Sequence, residues 1–307
     1  MQYRELGTTG EIVSAIGMGG FHLGKQFQST EDSIKLIRSG MDAGITFLDN
    51  CWDYNEGLSE VRMGKALKDG YRDKAFLMTK LDGRTAEAYE KQLMQSMERL
   101  DVGMIDLVQF HEILRMEDAD RIFGKGGAME AALKAREAGK IRYIGFTGHK
   151  DPAVHLRMFE VADKNKFHFD TVQMPVNVMD AHFRSFSRQV IPVANDHGTG
   201  VLAMKTFGDK YILKSGVVDP IEALHWGLSQ NISVLIAGID KPEILEQALR
   251  AVHTYKPLSD AEAKRILDKT REAASEGEYE LFKISTHFDG TAHNPDWLGE
   301  ELLGLAS

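Results

Sequence analysis

The sequence predicts an α/β fold: a (β/α)8 TIM barrel of parallel strands with an N-terminal hairpin and a C-terminal tail over the barrel. Two observations lead to this prediction. Eight short apolar runs recur along the 307 residues, and amphipathic, helix-like stretches separate them. Because parallel neighbours need a crossover connection, this alternation indicates a parallel sheet. Eight units favour a closed barrel over an open doubly wound sheet, since no G-x-G-x-x-G follows the first strand.

The predicted strands are short runs rich in aliphatic, β-branched and aromatic residues. In chain order they cover residues 15–18, 46–49, 75–79, 105–110, 141–146, 171–174, 201–204 and 234–237. Before them, residues 3–6 and 12–13 flank a Gly-Thr-Thr-Gly turn, which predicts a hairpin that caps the lower end of the barrel. After the last unit we expect a further helix and an irregular tail over residues 287–303.

The predicted helices show apolar residues at helical spacing. They include residues 33–43, 86–100, 128–138, 153–163, 220–228 and 242–252. Asp151 followed by Pro152 is typical of a helix start. Gly44 and Gly139 are typical of helix ends, because glycine readily adopts the left-handed conformation of a C-cap.

Composition narrows the classes of function. Hydrophobic residues make up 43% and charged residues 27%, and no Gly/Ser- or Pro-rich linker occurs, so residues 1–307 are predicted to form one domain. The single cysteine, Cys51, excludes a disulfide framework and any zinc or iron–sulfur site built from cysteines, and favours a cytoplasmic location. We expect no metal, no membrane span, and, from the net charge of −9, no nucleic-acid partner.

Functional residues in this barrel class lie where strands end. Asp49 and Tyr54 follow the second predicted strand, Lys80 follows the third and His111 the fourth. Each alone is more often a turn, packing or surface residue, but together they form a chemical set. The Lys80 ammonium is expected to lower the pKa of the Tyr54 phenol, and a neutral His111 to polarise a carbonyl oxygen. The set therefore predicts a site that protonates an oxygen while hydride reaches the carbon.

A segment around this tyrosine resembles a known family. Residues 46–60, TFLDNCWDYNEGLSE, are similar to the F-D-T-A-x-x-Y-G-x-S-E block of the aldo-keto reductase superfamily, with the Asp-to-Tyr spacing of five retained. The Met-Thr-Lys that ends at Lys80 resembles the family's strand-3 lysine, and the Gln-Phe-His that ends at His111 resembles its strand-4 histidine. The resemblance runs from Leu6 to about Leu249.

The resemblance implies an enzyme that reduces aldehydes and ketones, or oxidises alcohols, with NADP or NAD. Tyr54 would be the general acid, tuned by Lys80 and Asp49, and His111 would orient the carbonyl. The cofactor would lie across the barrel mouth, on Gly20, Thr147, Gly148, His149, Gln173, Met204, Lys205, Thr206, Phe207, Gly208, Gly238, Ile239, Asp240, Glu243, Glu246 and Gln247. The substrate, a small carbonyl or alcohol with a sugar-like compound among the candidates, would lie against Phe21, His22 and Trp52.

The chain departs from the family pattern at the cofactor positions. Thr147-Gly148 stands where Ser-Asn is usual, which keeps the hydroxyl and loses the amide, with His149 as a candidate replacement. Met204 stands where an aromatic ring usually stacks on the nicotinamide. Glu243 stands where NADPH-specific members often carry an arginine for the 2′-phosphate. A carboxylate there suits a ribose diol, although it is equally explained as a first-turn acid favoured by the helix dipole.

Other functions fit part of the pattern. Lys80 could form a Schiff base, as in barrel aldolases, but this reading leaves Tyr54 without a purpose. A metal-dependent hydrolase that uses His22, His111 and His149 is less favoured, because the sequence lacks a His-x-His and carboxylate pattern. A non-catalytic, cofactor-binding regulatory protein on the same fold is a further alternative, and the complete catalytic set argues against it.

Overall fold

Eight parallel strands close into a barrel in the computed structural model, which describes residues 1–299. Two short strands, β1 (Tyr3–Glu5) and β2 (Ile12–Ser14), precede the barrel. The eight barrel strands are β3 (Ile16–Gly19), β4 (Phe47–Asp49), β5 (Phe76–Leu81), β6 (Ile105–Phe110), β7 (Ile141–Thr147), β8 (Thr171–Pro175), β9 (Gly200–Met204) and β10 (Val234–Gly238). Strands β3 to β10 pair in parallel in chain order, and β10 pairs with β3 to complete the circle. The predicted fold class is confirmed.

Helices lie between and after these strands. They are α1 (Thr30–Asp42), α2 (Leu58–Ala66), α3 (Ala86–Leu100), α4 (Glu117–Phe123), α5 (Ala128–Glu137), α6 (Pro152–Lys164), α7 (Phe186–Asp196), α8 (Tyr211–Lys214), α9 (Pro220–Leu228), α10 (Pro242–Thr254), α11 (Asp260–Ala274), α12 (Leu281–Ile284) and α13 (Gly290–His293). Helix α1 begins earlier than predicted because the Ser29 hydroxyl accepts a hydrogen bond from the Asp32 amide and caps it. Within residues 1–299, no helix is both long and apolar enough to cross a membrane.

The N-terminal hairpin closes the amino end of the barrel, as predicted. Strands β1 and β2 pair antiparallel, and the adjoining Leu6 and Val13 are buried. Both belong to a buried cluster inside the barrel with Phe47, Phe76, Met78, Leu107, Leu202, Val234 and Ile236. The apolar plug leaves only the carboxyl end of the barrel for polar chemistry.

The C-terminal segment lies over the carboxyl end of the barrel, as predicted. The Glu112 carboxylate, just beyond β6, accepts hydrogen bonds from the amides of Gly290 (3.0 Å) and Thr291 (2.7 Å). The Arg84 amide, beyond β5, donates to the carbonyl of Leu298 at 2.9 Å. Residues 300–303 of the predicted tail lie outside the described residues.

A buried ionic cluster anchors this segment. The Lys283 ammonium of α12 donates to Asp180 (2.8 Å) and Glu280 (3.0 Å), and all three side chains are fully buried. Glu280 also accepts a hydrogen bond from Asn177, which follows β8. Because an unpaired buried charge is costly, these contacts hold α12 to the loop after β8.

The buried His155 of α6 makes the stability of the fold depend on pH. Its ring is fully buried against Phe146 and Phe186, with Nε2 3.3 Å from the carbonyl of Gln173, and burial lowers its pKa to about 4. In the unfolded chain a histidine titrates near 6.5, so between these values the unfolded state binds more protons. The stabilisation is complete above about pH 6.5 and is lost as the pH falls towards 4.

We therefore expect His155→Gln to flatten the pH dependence of stability. Relative to the variant, the wild-type free energy of unfolding in urea should fall by up to about 3 kcal/mol between pH 6.5 and 4. His168→Gln, at an exposed histidine, is the matched control and should follow the wild type. Parallel curves for wild type and His155→Gln would contradict this account.

Candidate active site

Lys80 is the centre of the predicted catalytic set. It lies on β5 and is 1% exposed, and its ammonium donates to the Asp49 carboxylate on the neighbouring β4 and to the Asn50 carbonyl (2.7 Å). The same nitrogen lies 3.3 Å from the Tyr54 hydroxyl. Strands β4 and β5 pair with Asp49 opposite Met78, so Lys80 projects at the strand end beside the carboxylate. The pairing predicted between Asp49, Tyr54 and Lys80 is thus present.

A tight turn presents Tyr54. The 3-10 turn Tyr54–Gly57 contains Asn55 with a left-handed φ of 52°, and its side chain donates to the carbonyl of Phe21 at 2.8 Å. The Phe21 ring contacts the Tyr54 ring edge-on, with centroids 5.3 Å apart. The His111 ring lies 6.1 Å from it on another side. The phenol is therefore held between Lys80 and His111.

The direction of the Tyr54 pKa shift differs from expectation. Burial, followed by the negative charge of Asp49, raises the pKa of Tyr54 well above its ordinary value. The net shift is thus opposite to the lowering expected from Lys80, because burial and the carboxylate bonded to the ammonium outweigh the effect of its charge. The phenol thus retains its proton and is suited to donate it.

His111 is fixed by carboxylates. Its Nδ1 lies 2.9 Å from Asp82 and 3.7 Å from Asp53, while Nε2 has no hydrogen-bond partner within residues 1–299. Burial alone would lower the pKa of His111, but Asp82 and Asp53 outweigh it and raise the pKa above its ordinary value. The two carboxylates therefore shift the ring towards the protonated form, opposite in direction to the neutral ring expected from the sequence.

Two residues that support His111 were missed at the sequence level. Asp82 is the nearest partner of the ring, and Arg84 donates to the carbonyls of His111 (2.7 Å) and Glu112 (3.0 Å). Asp82 stands two residues after Lys80, the spacing that returns a side chain to the same face of a strand, and that spacing could have revealed it. Arg84 gave no such signal, because it acts through backbone carbonyls distant in sequence.

Three predicted cofactor residues have unused hydrogen-bonding atoms. The side-chain oxygens Oγ1 of Thr147, Oε1 of Gln173 and Oγ1 of Thr206 are buried and make no hydrogen bond within the described part of the chain. Gln173 also donates to the Asp49 carboxylate at 3.3 Å, so it lies beside the catalytic set. Buried polar atoms nearly always have partners, so these oxygens fit a bound group with amide, hydroxyl or phosphate functions.

The position of His149 does not support its suggested role. Its Nε2 lies 3.0 Å from the Asp289 carboxylate of the tail, so this nitrogen is not available to replace the lost amide. The adjacent Gly148 is explained by packing. A Cβ at Gly148 would lie 2.4 Å from the carbonyl oxygen of Ile113 and 2.9 Å from the His155 ring, so no side chain fits there.

His22 packs against the end of β10 at the barrel mouth. Its ring packs so closely on Gly238 that a Cβ there would lie 2.6 Å from it. Gly238 ends β10, and the nearby Asp240 carboxylate lies 3.8 Å from the Lys210 ammonium. The His22 ring also meets the ring of the predicted substrate residue Phe21 edge-on, with centroids 5.6 Å apart, so His22 lies between a predicted cofactor position and a predicted substrate position.

The remaining cofactor positions differ in what they can offer. Ile239 is fully buried and offers only its backbone, whereas Glu243 and Glu246 are exposed on the first turns of α10 and Gln247 is half-buried. Gly20 lies against Asp49, where a Cβ would approach the carbonyl oxygen to 2.8 Å. Met204 and Phe207 are half-buried, and Gly208 turns with φ of 52°.

Lys205, directly after β9, contacts two aromatic rings of the C-terminal segment. Its ammonium lies 5.3 Å from the ring centroid of Phe282 and 4.9 Å from that of Phe288. Burial lowers its pKa to about 8. Cation–π contact compensates part of the lost hydration, so the charge is kept at the barrel mouth.

Trp297 of the tail contacts the predicted substrate residue Trp52. Their rings meet edge-on with centroids 5.6 Å apart, and the Trp52 indole donates to Gln95 at 2.8 Å. Phe21 is 44% exposed beside Tyr54. The tail is thus pinned to the barrel and also forms part of the rim around the candidate pocket.

A barrel with this buried set at its carboxyl end has the arrangement of an oxidoreductase site, and comparison with known proteins gives its family. The sequence profile of the Aldo/keto reductase family matches residues 15–221. The chain belongs to the aldo/keto reductase family, and the resemblance inferred from its motifs is confirmed.

Individual relatives support this placement. Aldo-keto reductase YhdN of Bacillus subtilis (strain 168) is 29% identical over 215 residues, 64% of this chain and 59% of that protein. L-galactose dehydrogenase of Arabidopsis thaliana is 33% identical over 159 residues, 48% of this chain and 49% of that protein. The matches thus span less than two thirds of both relatives. The holo form of aldo-keto reductase AKR11C1 from Bacillus halodurans has the same fold, with a TM-score of 0.74 at 21% identity, covering 91% of this chain and 99% of that one.

We expect Glu112→Gln to loosen the tail. The substitution removes the charge from an acceptor of two tail amides, Gly290 and Thr291, which should cost about 1–3 kcal/mol of local stability. Amide hydrogen exchange over residues 286–299 should become faster. Glu117→Gln, at an exposed position on α4, is the control and should leave exchange unchanged. Equal protection in both variants would show that Glu112 does not hold the tail.

Proposed function

We propose that this chain interconverts a carbonyl and an alcohol with a nicotinamide cofactor, NADP or NAD, and that Tyr54 is the general acid and base. One observation carries the proposal. The buried Lys80 ammonium is bonded to Asp49 and lies 3.3 Å from the Tyr54 hydroxyl, at the barrel end opposite the apolar plug. Membership of the aldo/keto reductase family supports the reaction class.

Each side chain has a distinct task in this scheme. The substrate oxygen accepts hydrogen bonds from the Tyr54 hydroxyl and His111 Nε2, which orient and polarise the carbonyl. As negative charge develops on that oxygen, Tyr54 donates its proton, and the Lys80 ammonium stabilises the phenolate that remains. Asp49 keeps Lys80 charged and aimed. In the direction of alcohol oxidation the phenolate accepts the proton.

The cofactor supplies or accepts the hydride when bound. The unpaired oxygens of Thr147 and Gln173 would hold its carboxamide, and Thr206 with the following loop would hold its phosphates. The positive end of the α10 dipole would face the adenosine end. Glu243 in its first turn acts against a 2′-phosphate there, by charge repulsion.

The substrate is proposed to be a small, moderately polar carbonyl compound of sugar-like character. The rim combines the aromatic faces of Phe21, Trp52 and Trp297 with the polar set below them. Aromatic faces suit the C–H surfaces of a polyol while its hydroxyls meet polar groups. One similar protein is named a dehydrogenase of L-galactose.

The Schiff-base alternative is disfavoured by the surroundings of Lys80. An aldolase lysine must present a neutral amine to the substrate. Here the ammonium is surrounded by three oxygen atoms, from Asp49, Asn50 and Tyr54, which favour the charged form. A nicotinamide-dependent reaction uses the same contacts without displacing any of them.

We expect Tyr54→Phe to lower kcat for carbonyl reduction by about 100-fold or more, because the proton donor is lost. Cofactor binding, followed by quenching of NAD(P)H fluorescence or by calorimetry, should be retained. Tyr89→Phe is the matched control, since that buried hydroxyl has no hydrogen-bond partner among the described residues. Near wild-type turnover by Tyr54→Phe on a good substrate would refute the proposed role.

The cofactor preference can be tested at Glu243. We expect Glu243→Arg to tighten NADPH binding by at least about tenfold relative to NADH, since repulsion of the 2′-phosphate becomes attraction. Titration of both reduced cofactors into each protein measures the ratio of dissociation constants. Glu272→Arg makes the same charge change on the exposed face of α11 and should leave the ratio unchanged. If both variants alter it equally, only the net charge matters.

A further inference from the structure

Four side chains that could bind a metal ion, His111 among them, lie close together after three neighbouring strands of the barrel. They are Cys51, Asp53, Asp82 and His111, and one ligand atom from each lies within 4.8 Å of all the others. The first two follow β4, and the others follow β5 and β6, so barrel closure brings together residues up to 60 positions apart. Neither the catalytic scheme nor the family comparison assigns a role to Cys51 or Asp53.

Two carboxylate oxygens in this group have unused hydrogen-bonding capacity. Asp53 Oδ1 and Asp82 Oδ2 are buried and have no hydrogen-bond partner within the described chain, and the whole Asp82 residue is 0% exposed. Asp53 Oδ1 points at the group, since it lies 3.7 Å from His111 Nδ1. Buried carboxylate oxygens without partners are rare, and a cation bound between them would satisfy both.

The spacing matches a tetrahedral ion. With Zn–S of about 2.3 Å and Zn–N or Zn–O of about 2.0–2.1 Å, ligand atoms around zinc lie roughly 3.3–3.6 Å apart. Here Cys51 Sγ lies 3.2 Å from His111 Nδ1, and that nitrogen lies 2.9 Å from Asp82 and 3.7 Å from Asp53. These three separations, the shortest of them to Asp82 Oδ1, differ from that range by a few tenths of an ångström. The remaining separations lie within 4.8 Å, so the ion would draw the carboxylates inward.

We propose that Cys51, Asp53, Asp82 and His111 form a binding site for one zinc ion, or for another divalent transition metal that accepts a thiolate ligand. A sulfur, an imidazole nitrogen and two carboxylate oxygens form a ligand set typical of zinc, whereas magnesium and calcium prefer oxygen alone. One cysteine suffices in such a mixed set. The expectation that this chain binds no metal considered only sites built from several cysteines or histidines.

Metal binding removes the proton from two of the ligand atoms. The metal displaces the proton from the Cys51 thiol, and the Nδ1 proton of His111 is lost or passes to Nε2, so that a thiolate and a neutral imidazole coordinate the ion. The ring then keeps its proton on Nε2. The site shares His111 with the proposed reductase mechanism, through Nδ1 and not Nε2, and metal binding can be measured without turnover.

The test uses the full chain without an affinity tag, stripped by a chelator, and titrated with zinc or cobalt ions alone. We expect one equivalent of zinc to bind with a dissociation constant in the micromolar range or below, by competition with a chromophoric chelator. Cobalt should give a thiolate-to-cobalt charge-transfer band in the near ultraviolet together with the intense visible bands of tetrahedral coordination. Neither readout depends on turnover.

Variants separate this site from adventitious binding. Cys51→Ser should lose the charge-transfer band and weaken zinc binding by at least about tenfold, while Asp53→Asn should keep the band and bind more weakly. Circular dichroism of each variant checks the fold, and the cobalt spectrum of the wild type needs no variant. His197→Gln, at a surface histidine paired with Asp163, should change nothing. Absence of stoichiometric binding, or wild-type affinity in Cys51→Ser, would overturn the proposal.

Discussion

The buried contact between Lys80 and Asp49 is the constraint on which the rest of the site depends. Both side chains are almost completely removed from water, so each charge is tolerable only while the other stays in place. The contact bridges β4 and β5, and Gln173 on β8 donates to the second oxygen of the same carboxylate at 3.3 Å. The pair therefore ties neighbouring strands together and also links them across the barrel mouth. The Tyr54 hydroxyl lies 3.3 Å from this ammonium, where the proposed mechanism needs it.

Burial also acts on the pKa of His111, but the charges around this ring do not cancel one another. Around Lys80 the opposite charges nearly cancel, so burial dominates at Tyr54 and its pKa rises. Around His111 the carboxylates of Asp53 and Asp82 face a single ring, so the site favours a cation, whether a proton on the ring or a metal ion between the ligands. Burial also raises the pKa of Asp53 to about 6. The charges around Lys80 are thus nearly balanced, whereas the surroundings of His111 contain an excess of carboxylates.

The tail completes the mouth by using polar groups that the strand ends would otherwise leave unpaired. Glu112 accepts two tail amides, and Asp289 bonds both His149 and the Lys150 ammonium, at 3.0 and 2.7 Å. These contacts engage the Nε2 atom of His149, which follows β7, with the tail. Together with the buried Phe282 and Leu298, these charge-assisted hydrogen bonds hold the segment over the barrel.

The eight strands, the hairpin and the grouping of Asp49, Tyr54, Lys80 and His111 at one end of the barrel could be predicted from the sequence. They depend on local periodicity and on the rule that residues at strand ends share one mouth. The prediction failed where the outcome depends on distances between residues far apart in the chain. The sign of the Tyr54 pKa shift depends on how closely Asp49 neutralises Lys80, and the direction His149 takes depends on a tail residue 140 positions later. Likewise, only barrel closure brings Cys51 beside His111, at 3.2 Å. Sequence alone thus determined which groups line the mouth, whereas the tertiary structure decided their charges and partners, because electrostatic and hydrogen-bond energies depend on ångström-scale separations and burial.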